Sequence, residues 1–125
     1  MAKQVRLDEK ERVAIIMFSE RHEGTRIETK RMDKAIDVID QDSVSDKIIP
    51  TLSGQGLMVQ GGFENLNGEE DEFIFEDEPF KTLKTFLQNQ SIPYSRRKEH
   101  VGRVLMGVMD KMDGAKDVKL KGKEK

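Results

Sequence analysis

Glu72-Phe73-Ile74-Phe75-Glu76 is the stretch on which the fold turns. Phe73 and Phe75 fall on one face of an extended chain and Ile74 on the other, the period-two pattern of a strand. Just upstream, Gly54, Gly56, Gly61 and Gly62 punctuate a segment that contains Leu57-Met58-Val59. Both short apolar runs are bounded by turn formers, and Asn67-Gly68 in the polar loop between them is a credible turn centre. The expectation is an antiparallel hairpin of 57–59 on 72–76, covered on one side by helix.

Outward from this point, the apolar residues repeat at helical spacing. Downstream, Pro79 sits where a first helical residue is tolerated, after acidic residues that suit a helix N-terminus. Phe80, Leu83, Phe86 and Leu87 make the inward face of that helix, and Asn89 to Pro93 break it. Ser95 is expected to cap a last helix with the most regular stripe in the chain: Val101, Val104, Leu105, Val108, Met109 and Met112. Gly102 and Gly107 within it imply either close packing on a neighbour or a weak helix, since each costs about 0.5–1 kcal/mol relative to Ala.

Upstream, Asp8 followed by Glu11 fits a capping box, and Val13, Ile16 and Met17 with Ile15 and Phe18 predict a helix over 8–21. Glu23-Gly24 ends it, with Gly24 expected as a left-handed C′ residue. Thr25 or Thr29 starts a second helix with Met32, Ala35, Ile36 and Ile39 inside and Lys30, Arg31, Lys34 and Asp37 outside. This helix should end near Asp42-Ser43, and Val44 to Leu52 is ambiguous: a short helical turn there, limited by Pro50, is one way for Ile48, Ile49 and Leu52 to cap the core. The fold class is therefore α+β: about four helices packed on a small antiparallel β-hairpin or sheet. One domain over 1–113 precedes a flexible basic tail over 114–125.

The chain has 125 residues, 35% apolar and 37% charged, so one modest core lies under a very polar surface. Seven Met and six Phe supply bulk in the absence of Trp. There is no cysteine, which removes disulfides, thiolate catalysis and thiolate metal sites. The opening MAKQVRLDEKER has no apolar h-region, and the longest apolar run, Val13 to Phe18, is far short of the ~20 residues of a membrane span. A soluble, cytoplasmic protein without membrane association is expected, and the oligomeric state is left open. The net charge is −2 but segregated. Glu64 to Glu78 holds eight acidic residues and no basic one, and Tyr94 to Lys125 holds ten basic and five acidic.

His22 and His100 are the only histidines, and no HxH, HExxH, CxxC, EF-hand or phosphate-loop spacing is present, so no catalytic residue, metal or cofactor is assigned. Two clusters stand as candidate interaction sites. Arg96, Arg97, Lys98, His100 and Arg103 gather positive charge at the start of the last helix, where it opposes the helix dipole and an acidic partner or phosphate would relieve it. Glu69, Glu70, Asp71 and Glu72 form an acidic surface on the expected hairpin. The order helix, helix, hairpin also fits a winged helix with Lys30, Arg31 and Lys34 on a recognition helix, but an acidic wing would repel phosphates.

Leu7, Glu11, Arg12 and the pair Glu23-Gly24 match an opening in which L-x-x-x-E-R leads an apolar helix that closes on an E-G turn. Over these first 25 or so residues the chain resembles small uncharacterised bacteriophage-encoded proteins. The resemblance implies a viral accessory or structural protein acting in the host cytoplasm. The leading expectation is a non-enzymatic protein-interaction domain with a host or virion protein as partner. The alternatives are a nucleic-acid-binding regulator, winged-helix-like, or an acidic nucleic-acid mimic that occupies a nucleic-acid-binding protein.

Overall fold

Phe73 and Phe75 lie on a strand, as their alternation predicts, but its partner is the N-terminus. The computed structural model describes residues 2–20, 22–41, 44–50, 57–59, 66, 68–89 and 101–118. In it, strand β1 (Ala2–Leu7) is followed by helices α1 (Glu9–Ser19) and α2 (Arg26–Ile39) and a 3₁₀ turn at Val44–Lys47. Then come β2 (Ile48–Pro50), β3 (Leu57–Val59), β4 (Asp71–Glu76), α3 (Asp77–Gln88), α4 (Val101–Asp113) and β5 (Lys116–Val118). The architecture is α+β, with the helices packed on a small antiparallel sheet ordered β4-β1-β5.

Two expectations about strands are corrected. The hairpin of 57–59 on 72–76 does not form; β3 pairs with β2 and β4 pairs with β1. The reason is length: β1 offers a partner to all six residues of β4, from Ala2↔Glu76 to Leu7↔Asp71, whereas β3 is three residues long. That register sets Val5 opposite Phe73, so two buried side chains pack across the ladder. Lys116–Val118, expected in the flexible tail, forms the third strand on β1, held also by the Lys3–Asp117 ion pair. Residues 119–125 lie outside the described ones.

The helices follow their signals more closely. Asp8 and Glu11 make the reciprocal capping box of α1, and Thr25 rather than Thr29 caps α2, with Glu28 completing a second box. Backbone and hydroxyl hydrogen bonds from Thr25 hold the Glu28 carboxyl below its ordinary pKa. α1 ends at Ser19, and Gly24 does not take the left-handed conformation expected of it. A Cβ there would meet the His22 ring at 3.2 Å, so Gly24 serves close approach instead. α2 ends at Ile39, earlier than expected; within the ambiguous segment a helical turn forms at Val44–Lys47, while Ile48–Pro50 is strand β2. α3 begins two residues before Pro79.

α1 is the central element. Val13, Ala14, Ile15, Ile16 and Phe18 are all buried, so it is apolar nearly all round rather than along one stripe. α4 packs on it through Leu105, Val108 and Met112, all buried, with Val104 and Met109 partly so. Gly107 faces Glu11 across this contact, but a Cβ there would meet Glu11 at 3.7 Å, an ordinary contact, so close packing does not require the glycine and it weakens the helix instead. Phe80, Leu83 and Leu87 of α3 complete the core with Phe73 and Phe75.

Candidate functional site

The acidic run is placed beside two cations. Glu70 and Glu72 lie against Arg6 of β1, at 3.6 and 3.4 Å, because the β1–β4 register sets Arg6 opposite Glu72. Lys111 of α4 reaches Glu70 as well and donates from its ammonium to both Glu70 and Glu11. Hydrogen bonding to Lys111, and then its charge, holds Glu70 below the ordinary carboxylate range. Of the acidic surface predicted from Glu69, Glu70, Asp71 and Glu72, Glu70 and Glu72 are thus paired with cations of this same chain. All four side chains remain exposed. The hairpin of β3 on β4 that would supply the wing is not formed, since β3 pairs with β2 and β4 with β1.

Of the basic group, Arg103 is described: it is exposed on the first turn of α4 and makes no ion pair among the described residues. Arg96, Arg97, Lys98 and His100 lie outside the described residues.

Among the described residues two ionisable side chains, Glu11 and Arg12, are buried, and both join elements. Glu11 accepts from the Asp8 backbone N–H at 2.9 Å and from Lys111, linking the start of α1 to α4. Burial raises its pKa above the ordinary value in spite of these bonds. Arg12 donates from Nε to the carbonyl of Ile39 and from Nη2 to that of Gln41, each at 2.9 Å. It thereby satisfies carbonyls at the C-terminus of α2, where a cation also suits the helix dipole. Its guanidinium lies 4.9 Å from the centroid of the Phe73 ring. Leu7, Glu11 and Arg12, the residues that carry the resemblance at the opening, are therefore the ones that tie strand, helix and helix together.

Sequence reasoning missed the apolar part of the surface. Ile27 is 61% exposed and Ile74 44% exposed. They lie in two adjoining recesses between α2 and the β4–α3 junction, of about 220 and 350 Å³, which share Lys34, Glu76 and Pro79. Ile27, Lys30, Lys34 and Val38 follow one another at three- and four-residue steps, so one edge of α2 supplies one wall of the groove. A signal was present in the sequence: Ile27 falls away from the Met32, Ala35, Ile39 stripe, among the outside lysines.

On the other side of α2, the loop to α1 sets the His22 ring edge-on to Phe86, with centroids 5.4 Å apart. The open cleft beneath is lined by Glu23, Glu28, Arg31, Lys81 and Thr85 among others. Cations and carboxylates share that lining with His22 and the hydroxyls of Thr82 and Thr85. Among the described residues there is no group of three His, Asp or Glu side chains that could hold a metal ion. No helix among them is long and apolar enough to cross a membrane. No family model, curated protein or solved structure matches this chain.

Proposed function

We propose that this chain is a non-enzymatic protein-interaction domain, of the phage accessory or structural type its opening resembles, acting on a host or virion protein. The observation that carries the reading is the groove between α2 and the β4–α3 junction. Ile27 and Ile74, two of the three large apolar side chains that are exposed among the described residues, both line it. Exposed apolar side chains grouped in a recess with a polar rim are the usual make-up of a protein docking site. The buried ionisable groups support a binding role in another way. Glu11 and Arg12 are engaged in holding helices, so neither is presented to a substrate.

The test places a photo-crosslinking side chain at position 38, beside the groove, and a control at Met106 on α4. In lysate of a plausible host, treated with nuclease, position 38 should yield one protein adduct that position 106 does not. Ile27→Ser with Ile74→Ser should abolish it while shifting the unfolding free energy by no more than about 0.5 kcal/mol, as expected for exposed sites. An adduct that survives the double change, or none at either position, removes the docking face.

A further inference from the structure

We propose that β5 is a displaceable strap over the edge of β1: it lifts as a unit beyond Ala115 while the rest of the fold stays closed, and so controls whether that edge is open to an added strand. β1 is gripped unequally on its two sides. β4 pairs with all six of its residues and buries Phe73 and Phe75. β5 pairs with three, as Ala2↔Val118, Lys3↔Asp117 and Gln4↔Lys116. Lys116 and Asp117 are exposed, and Val118 is half-buried. The side-chain clasp is the Lys3–Asp117 ion pair, whose hydrogen bond raises the pKa of Lys3. An exposed pair of this kind adds little to a three-residue ladder.

The hinge is as well defined as the strap. Gly114 and Ala115 donate their backbone N–H groups to the carbonyls of Asp110 and Met112, each at 3.2 Å, and Ala115 packs against the core. Up to Ala115 the chain therefore belongs to α4, and past it β5 packs chiefly on β1. Opening there breaks few contacts and uncovers little apolar surface, the features of segments that open locally at small cost. Val5 to Leu7 carry no strand on this side among the described residues. The edge runs instead into a cleft of about 400 Å³ lined by Val5, Arg6, Lys111, Gly114 and Lys116. A bare sheet edge presents N–H and C=O groups that template another strand, and a short charged strand laid over it blunts that tendency. A segment that takes the place of β5 must supply what β5 supplies: a carboxylate opposite Lys3 and an apolar side chain opposite Ala2.

Hydrogen exchange of the whole chain, read residue by residue by NMR, tests this. The amides bonded across the β1–β5 ladder should exchange at least about a hundredfold faster than those of the β1–β4 ladder, after correction for intrinsic rates. Asp117→Lys turns the clasp into a repulsion and should speed exchange across β1–β5 about fivefold, with α1 and α4 unchanged. Lys3→Cys with Asp117→Cys joins two residues that face each other in the register, in a chain with no cysteine of its own. Its disulfide should slow that exchange at least about tenfold, and reduction should restore it. A peptide with the sequence of residues 114–120, added in trans, should shift the β1 amide resonances of the Asp117→Lys variant and leave those of the oxidised double variant unmoved. Exchange across β1–β5 as slow as across β1–β4, or protection of α4 lost together with that of β5, would make β5 an integral part of the core and overturn the strap. Peptide shifts equal in the two variants, or absent from both, would overturn its control of the β1 edge.

Discussion

Glu11 and Arg12 are neighbours in sequence, both buried, and opposite in what they cost. Arg12 is fully used: two carbonyls and an aromatic face receive its guanidinium. A lysine cannot span both acceptors from one planar fork. Arg12→Lys should therefore leave a carbonyl at the end of α2 short of a donor and destabilise the chain by about 1–3 kcal/mol in urea melts. A change within error of zero would mean that water takes over the acceptor. Glu11 is different, because burial outweighs Lys111 and the Asp8 N–H and raises its pKa from 4.5. A carboxyl whose pKa is higher in the folded than in the unfolded chain contributes stability that is fully present below its unfolded pKa and is lost as pH rises through the folded one. Glu11→Gln removes that dependence but keeps an oxygen for the Asp8 N–H, and Lys111 keeps Glu70. The stability of the Gln variant relative to the parent should thus increase as pH is raised from about 4.5 toward neutrality. Melts at a series of pH values check this, and a relative stability that falls over the same window would show that the Lys111 pairing dominates.

Among the elements, α4 offers a pair of changes with opposite signs. Leu105 is fully buried on the α1 contact, so Leu105→Ala should cost about 2–5 kcal/mol. Gly107 lies two residues further on, and a Cβ there would meet Glu11 Oε2 at 3.7 Å, an ordinary contact. Gly107→Ala should therefore gain about 0.5–1 kcal/mol from helix propensity alone. Thermal melts of the two variants should move in opposite directions. The helices were legible because each carries a cap or a stripe: Asp8 with Glu11, Thr25, and the run from Val104 to Met112. The strands were legible only where apolar alternation is strong, as at Phe73-Ile74-Phe75. β1 has just Val5 and Leu7 to show, and β5 is a charged pair followed by Val118, so neither stands out from a polar terminus. Strand pairing is a long-range choice, and local turn chemistry at Asn67-Gly68 pointed to the nearer partner, which was too short.

At the scale of the whole molecule, the segregated charge was plain in the sequence but its pairing was not. Nothing local says that Arg6 and Lys111 will flank Glu70, since they lie in β1 and α4 and meet only through the β1–β4 register and the α1–α4 contact. The groove at Ile27 and Ile74 was hidden for the same reason: it exists only where α2 passes the β4–α3 junction. This distribution of charge decides what nucleic acid can do. Phosphate contacts would have to come from Arg96, Arg97, Lys98, Arg103 and the tail lysines, while the net charge is −2 and the exposed run from Glu69 to Glu72 opposes a polyanion. Affinity for duplex DNA should accordingly be no tighter than the roughly 10⁻⁴–10⁻⁶ M of non-specific association at physiological salt. Whatever binding remains at low salt should fall with a log–log slope of about −0.9 per phosphate neutralised. A partner held by buried apolar contacts should tolerate the same rise in salt. A titration of the whole chain against a defined duplex at several salt concentrations separates the two. Submicromolar binding at physiological salt, abolished by Arg96→Glu with Arg97→Glu, would replace the protein-interaction reading with that of a nucleic-acid-binding regulator.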